Sequence, residues 1–489
     1  MPNNTSWTGH TSDRAPLLGV SSGAALAAAL LGMFVITLDA LVVTVALPAI
    51  RNDLGGGMSG LQWVVDSYTL MFAALLLSAG ALSDRVGARR AYGVGLAVFV
   101  AASAVCGLAP SLGTLIAARL VQGAGAAVML PASLALIRES YADPVKRARA
   151  IALWAVGGAV AAAAGPVAGG ALNLISWRMI FFINLPAGII ALALLARTAR
   201  SPRQRVPLDI TGQATAVLAM GALTYGAIEA GAVGFTAPKV WAAGLVTVVA
   251  LAIFLVAQAR GRHPMVPLDL LRSRTVVVSS CAGFAFMTGF YGMVFLFSLY
   301  LQQLRGLSSL ATGLVFLPMT VLTPFLNPLS ARIAERFGPR LPIASGLFMM
   351  AAGLTILAFA PASTPTWLLA VLMLPVGLGG PLAMPPATAL LINSVPAERT
   401  GTASGVFNTS RQLGGALAVA VFGALVADQA TFSQGLHASL LIAALVLLLA
   451  AVASLLLESA PIPQPETAAP NQHRVNAPTQ SAYATKQTG

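Results

Sequence analysis

Charge is scarce in this chain. Only 9% of its 489 residues are Asp, Glu, Lys or Arg, against about 25% in a typical soluble domain. Cysteine is scarcer: there are two, Cys106 and Cys281, with no C-x-x-C spacing, and each falls within an apolar run. They read as small packing residues rather than a disulfide or a redox motif. The four histidines are His10, His263, His437 and His473. None belongs to an H-E-x-x-H or a His/Cys cluster, so a catalytic metal has no ligand set. A Ser-His-Asp triad lacks a histidine at the right depth. No G-x-x-x-x-G-K-[ST] occurs, which excludes a P-loop for ATP. The sequence therefore calls for no cofactor, no metal and no enzyme chemistry, and an ion gradient is the energy source left.

What the chain has is apolar length. It is 57% hydrophobic, with a mean hydropathy of +0.83. Apolar runs long enough to cross a bilayer as helices, about 20 residues, fall near 22–50, 61–80, 91–109, 112–136, 149–172, 178–196, 210–231, 239–259, 275–300, 309–330, 341–360, 366–391, 402–427 and 436–457. The expectation is an all-α polytopic membrane protein with 14 spans. The first run is too long for a signal-peptide core of 7–15 residues, so it reads as an uncleaved helix.

A net charge of +13 would point to nucleic acid in a soluble protein. Here the positions of the charges say otherwise. With the N-terminus placed in the cytoplasm, nineteen of the 28 Lys and Arg fall in inner loops and four (Arg51, Arg178, Lys239, Arg305) in outer ones. Arg14, Arg474 and Lys486 also lie inside, leaving Arg119 and Arg411 at membrane depth. The positive-inside rule thus supports an even span count, both termini in the cytoplasm and a place in the cytoplasmic membrane, with the bilayer and not nucleic acid as partner.

An internal repeat is visible. Leu82–Arg89 resembles Ile333–Arg340, and Gly123, Gly125 and Pro131 recur as Gly377, Gly379 and Pro385, at offsets of 251 and 254. The chain divides into a cytoplasmic segment 1–21, a six-helix half 22–197, a central linker 198–274 carrying two extra helices, a second six-helix half 275–458, and a Pro-, Gln-, Ala- and Thr-rich tail 459–489 that reads as disordered. Parallel halves of this kind characterise one large class of secondary transporters.

The remaining signal is charge in the wrong place. Arg119 lies about two turns inside its span, where an arginine is costly and must face a partner or a water-filled cavity. The acids placed to answer it are Asp39, deep in the first run, and Asp66, about one turn into the second. The plain alternative for each is a structural polar anchor near the outer interface. Glu229 reads as interfacial. Arg411, about ten residues into its span, has two equal readings, a charge balance in the core or a brace for the inner gate.

Gly80-x-Leu82-x-Asp84-Arg85-x-Gly87-x-Arg89-Arg90, joining the second and third runs, resembles the inner-loop signature of the major facilitator superfamily. Leu38-Asp39-Ala40-Leu41-Val42-Val43-Thr44-Val45-Ala46-Leu47-Pro48 is similar to the first-helix signature of its 14-span drug:proton antiporters. There Thr and Asn usually stand where this chain has Leu41 and Thr44. Gly165-Pro166-x-x-Gly169-Gly170 resembles the fifth-helix motif of exporters. Trp177-Arg178-x-x-Phe181-x-Ile183-Asn184-x-Pro186, read as outer-end packing, matches the same family, and the likeness covers about 22–458. It implies the major facilitator fold, two six-helix bundles plus two central helices.

The function so implied is proton-coupled export of drugs or antibiotics by a monomeric antiporter. Asp39, Asp66 and Arg119 would couple to the proton, and Gly80, Asp84, Arg85, Gly87, Arg89 and Arg90 would form the inner gate. Tyr68, Gln122, Phe286, Tyr291, Phe295 and Arg411 would line the cavity, although a buried aromatic is more often packing than ligand site. The alternatives are a dedicated exporter of one metabolite or self-made antibiotic, and a non-transporting receptor or scaffold.

Overall fold

The structure is a computed structural model and describes residues 22–203, 207–396 and 399–457. The segment 1–21 and the tail 459–489 lie outside the described residues, and with them the readings of Arg14, Arg474, Lys486 and the disordered tail.

Helices α1 (Ser22–Leu54), α2 (Gly57–Val86), α3 (Ala88–Gly107), α4 (Leu112–Ser140), α5 (Pro144–Asn173), α6 (Met179–Phe182) and α7 (Asn184–Ala196) come first. The middle of the chain folds as α8 (Ile210–Val233) and α9 (Pro238–Arg260). Then follow α10 (Arg274–Leu299), α11 (Ser309–Val321), α12 (Thr323–Phe337), α13 (Arg340–Ala358), α14 (Thr366–Leu372), α15 (Leu374–Asn393), α16 (Thr400–Leu425) and α17 (Phe432–Leu455). No strand occurs among the described residues. In a bilayer only helices or closed barrels satisfy every backbone group, and this chain takes the first route.

Local chemistry sets the boundaries. Ser111, Asp143, Asp209, Ser273 and Ser308 each cap a helix N-terminus through a side-chain oxygen. Gly87, at φ 89, makes the sharp turn from α2 to α3 that a residue with a Cβ would resist. Three spans are broken: α6 yields to α7 at Ile183, three residues before Pro186, α11 to α12 at Leu322, and α14 to α15 at Met373. Tyr300–Leu304 continues α10 as a π-helical turn.

Among the described residues, twelve helices are long and apolar enough to cross a membrane, counting Met179–Ala196, Arg274–Leu304 and Thr366–Asn393 as single helices. The 26-residue α16 and the broken α11–α12 pair are not among the twelve. Leucines, valines and isoleucines such as Leu153, Val248, Leu445 and Leu449 point outward, as a lipid-facing surface requires.

The first seven helices pack chiefly on one another, α1 on α5 and α4 on α2 and α3. In the second half α10 packs on α16, and α13 on α15 and α17. The sequence repeat is a repeat of contacts. A Cβ on Gly123 would collide with the Tyr68 backbone, and one on Gly377 with the Met319 backbone. Gly125 abuts Gly95, and Gly379 abuts Gly346. Both pairs recur at the offsets 254 and 251 seen in the sequence, so each half buries the same backbone-to-backbone crossings.

The halves meet along two seams, α2 with α16 and α5 with α11. At the end carrying Gly55 and Arg305 hydrogen bonds tie the two halves together, at these seams and between α1 and the end of α10. Gln62 Nε2 donates to the carbonyls of Val419 (3.2 Å) and Ala420 (2.6 Å), Ser298 Oγ to Thr44 (2.7 Å), and Gln302 Nε2 to Val45 (3.0 Å). Asn173 Nδ2 donates to Ser309 Oγ at 2.6 Å. The opposite, arginine-rich end holds a cavity of about 530 Å³ between α2, α4 and the start of α16, reached by the segments around Leu208 and Pro264.

The α8–α9 hairpin sits beside this seam. α8 packs on both α2 and α16, with Trp63 of α2 against Tyr225 of α8 at 6.3 Å between ring centroids, while α9 stays largely exposed. Asp209 knots the hairpin base, accepting from Gly212 N (2.7 Å) and Gln258 Nε2 (2.7 Å). Glu229 pairs with Lys239 across the hairpin turn. Asp269 pairs with Arg399 at the start of α16.

Candidate functional site

Arg119 is 1% exposed and Asp39 0%, and they form an ion pair. Of the two acids the sequence set against Arg119, the structure brings Asp39 to it. Burying both charges is costly unless their remaining hydrogen-bonding sites are filled, and here several are. Arg119 Nε donates to the Val64 carbonyl at 3.2 Å and Nη1 also to Gln122 Oε1 at 2.9 Å. Its guanidinium lies 4.3 Å from the Tyr68 ring centroid, a cation–π contact that supplies electron density without a second acid. Asp39 Oδ1 accepts from Gln122 Nε2 (2.9 Å) and Asn184 Nδ2 (2.8 Å). Asn184 also donates to Ser103 Oγ (3.0 Å), which donates to the Phe181 carbonyl.

Four elements converge on this knot. Arg119 and Gln122 lie three apart on α4 and so share a face. Asp39 comes from α1 and Tyr68 from α2. Asn184 is the first residue of α7, where the break after α6 re-aims the chain and turns the side chain inward. The sequence reading gave the Asn184 stretch an outer-end packing role. The structure instead buries Asn184 completely against Asp39. The signal available was a polar amide two residues before a proline inside an otherwise apolar run.

Asp66 stands apart from the knot. It is fully buried, and neither carboxyl oxygen has a hydrogen-bond partner among the described residues. It lies on the face of α2 shared by Gln62 and Ala73, both of which touch α16, Ala73 through its carbonyl and the Thr409 hydroxyl at 3.2 Å. An ionised carboxylate there would be uncompensated at the seam.

Of the residues expected around a cavity, Phe286 stacks on Phe290 at 5.9 Å, and Tyr291 packs with Leu41 across the two halves. Arg411 bonds Asn408 at 3.4 Å and lies 5.9 Å from the Phe286 ring and 5.7 Å from the Phe407 ring. Tyr68 is 1% exposed, its hydroxyl donating to the Ile36 carbonyl at 3.2 Å. Gln122 belongs to the Asp39 knot. Phe295, at 0% exposure, sits in the large core cluster with Phe297 and Leu347.

The glycine motif of α5 faces both halves. Gly165 and Gly169 meet Leu41 and Val42 of α1, while Gly170 meets the Ser309 backbone of α11 and Gly313 meets Pro166 in return. In the loop motif, Arg89 Nε and Nη2 each donate at 3.2 Å, to the Leu195 and Ala196 carbonyls at the end of α7, where a cation suits the helix dipole. Its backbone N–H bonds Ser201 Oγ at 2.9 Å, and Ser201 bonds Glu139. Asp84, Arg85 and Arg90 are exposed, and Gly80 borders the cavity with Asp84.

The chain is 37% identical over 400 residues to the multidrug resistance protein Stp of Mycobacterium tuberculosis, covering 81% of this chain and 74% of that one. It is 35% identical to the methylenomycin A resistance protein of Streptomyces coelicolor, covering 88% and 91%. The tetracenomycin C resistance and export protein of Streptomyces glaucescens is 32% identical over 83% and 76%. Among solved structures, an inward-facing, unoccupied bacterial homologue of the human lysosomal transporter Spinster superposes with a TM-score of 0.64 at 18% identity, covering 89% and 96%. A POT family transporter superposes with a TM-score of 0.66 at 13% identity, covering 89% and 95%. These two share the fold. The family model described as Major Facilitator Superfamily matches residues 29–419, and with that span matched the chain belongs to the major facilitator superfamily.

Proposed function

We propose that this chain exports drugs or antibiotics across the cytoplasmic membrane in exchange for protons, by alternating access. The observation that carries the reading is the family likeness to resistance exporters, at 32–37% identity across four-fifths or more of the chain. A buried acid–arginine pair in the first half adds a place where charge can be exchanged. The arginine-rich end is cytoplasmic by the positive-inside rule, with both termini on that side. The structure is then inward-facing, sealed outside by Gln62, Ser298 and Gln302 and open inside near Asp84. α16 and the broken α11–α12 pair complete 14 spans, grouped as 22–197 and 275–458 around the hairpin of 198–274. The transporter works as a monomer.

Asp39 and Asp66 divide the coupling. Asp39 has Arg119, Gln122 and Asn184 to hold its charge. Asp66 has nothing, so a proton there removes a charge the closed seam cannot hold, and opening the outer side of α2–α16 exposes it to water. Closing the inner mouth would bring Asp84, Arg85 and Arg90 toward the second half, with Gly80, Gly87 and Arg89 holding their loop. Gly165, Pro166, Gly169 and Gly170 form the surface on which α5 rocks against α1 and α11. Phe286, Tyr291 and Arg411 face the path between the halves and favour apolar or aromatic substrates.

The test is dye accumulation in an efflux-deficient bacterium expressing the chain, with and without a protonophore. Low accumulation, restored to control by the protonophore and by Asp39→Asn, is the expected result. A panel unaffected by expression would favour a dedicated exporter of one metabolite. Full efflux in Asp39→Asn would remove that acid from the mechanism.

A further inference from the structure

Two grooves flank the start of α3 at the arginine-rich end. One, of about 340 Å³, runs between α2, α3 and α4 and is lined almost wholly by apolar side chains, with Arg90 as its one charged residue. The other, of about 660 Å³, lies between α3 and the end of α7 and is rimmed by Arg89, Arg90, Arg200 and Arg203. Val94, 57% exposed, and Arg90 line both, so the two grooves adjoin along one ridge.

The charges are uneven. Arg89 is engaged with the α7 carbonyls. Arg90, Arg200 and Arg203 are exposed, with no ion pair or hydrogen bond among the described residues. Among the described residues no carboxylate lines either groove. Glu139, beside the second groove, accepts from Ser201 Oγ. Apolar troughs on the outer surface of a membrane protein, ending in unpaired guanidinium groups where the bilayer meets water, match the two parts of a phospholipid. Guanidinium also bonds phosphate in a bidentate manner.

We propose that this ridge is a binding site for an anionic phospholipid of the inner leaflet. Its acyl chains lie in the grooves on either side of Val94, and its phosphate is held by Arg90, Arg200 and Arg203. The choice of leaflet rests on the orientation proposed above; the site itself does not depend on transport.

The experiment is native mass spectrometry of the full chain after mild delipidation, with phosphatidylglycerol and phosphatidylethanolamine of matched acyl chains as probes. The wild type should retain phosphatidylglycerol preferentially. Arg90→Gln/Arg200→Gln/Arg203→Gln should lose that preference, by roughly fivefold in affinity for each arginine removed. Arg260→Gln/Arg262→Gln/Arg272→Gln, the same charge change elsewhere at this end, should keep it. Ala124→Leu, which fills the first groove and spares the arginines, should lower retention of both lipids. Preference unchanged in the first variant, or lost equally in the second, would overturn the headgroup site. Retention unchanged in Ala124→Leu would overturn the acyl groove. Failure of dye export would leave all of these outcomes as they stand.

Discussion

Asn184 reaches across 145 positions of chain to donate to Asp39 at 2.8 Å. It is one of two side-chain amides on the same carboxyl oxygen, the other being Gln122. Replacing it with Leu keeps the volume and removes the donor. Leaving a buried polar group short of a partner costs about 1–3 kcal/mol, so Asn184→Leu should unfold at a lower temperature in a thermal melt of the purified protein. Gln122→Leu should do the same, and an unchanged melting temperature in both would show that the oxygen does not need them.

Arg119→Leu strands Asp39 without its counter-charge. Removing one partner of a buried pair typically costs about 3–5 kcal/mol. The double variant Asp39→Asn/Arg119→Leu removes the stranded charge and should recover much of that loss, while efflux stays absent in both. Melting temperature and dye efflux measured side by side separate the pair's part in folding from its part in transport.

Gly170 and Gly313 let α5 and α11 touch backbone to backbone. A valine at either position has no room, and overpacking of this kind costs about 1–3 kcal/mol. Gly170→Val and Gly313→Val should lose efflux at lower stability, whereas Gly244→Ala, where the space is open, should behave as wild type. Normal efflux in both valine variants would show that the two helices need not approach so closely.

Gln62 is the main polar latch between α2 and α16 at the Gly55 end, through two carbonyls. Gln62→Leu should shift the population toward a form open at that end. Spin labels at Met58 and Asp428, read by electron–electron double resonance, should show a larger long-distance fraction than in the wild type.

Asp269 is held below its usual value of 3.8 chiefly by the hydrogen bond from Arg399, against the opposing effect of desolvation, with that residue's charge a smaller contribution. A carboxyl lowered in the folded state contributes stability above its unfolded value and loses it as pH falls through the folded one. Asp269→Asn should therefore melt slightly lower than wild type at pH 7, and the difference should shrink below about pH 4. A difference that grows on acidification would contradict the pairing.

Twelve of the expected spans, and the depth of Arg119, were legible because each is a statement about transfer into lipid, which depends on local composition. The offsets of 251 and 254 reappear as contacts because glycine at a crossing leaves a mark in the sequence itself. Asn184 was not legible as a partner of Asp39. Its depth follows from where α6 breaks, and its facing from how α7 packs on α1, neither of which is local. The burial of Phe295 in the core cluster was not legible for a related reason. Along the apolar stretch of α10 around Phe295, core, cavity and lipid all ask for the same residue types. Asp66 was visible as an oddity, but only the pairing of α2 with α16 places it on the face turned to the seam.

The tilted pairing of Trp63 with Tyr225 gives this protein an optical gauge of its own. α2 forms one wall of the seam and α8 rests across both walls, so whatever parts α2 from α16 must also change how α2 lies on α8. The indole is fixed to the first and the phenol to the second. With the five other tryptophans replaced by phenylalanine, the emission of Trp63 would follow the conformational cycle in real time without an added label.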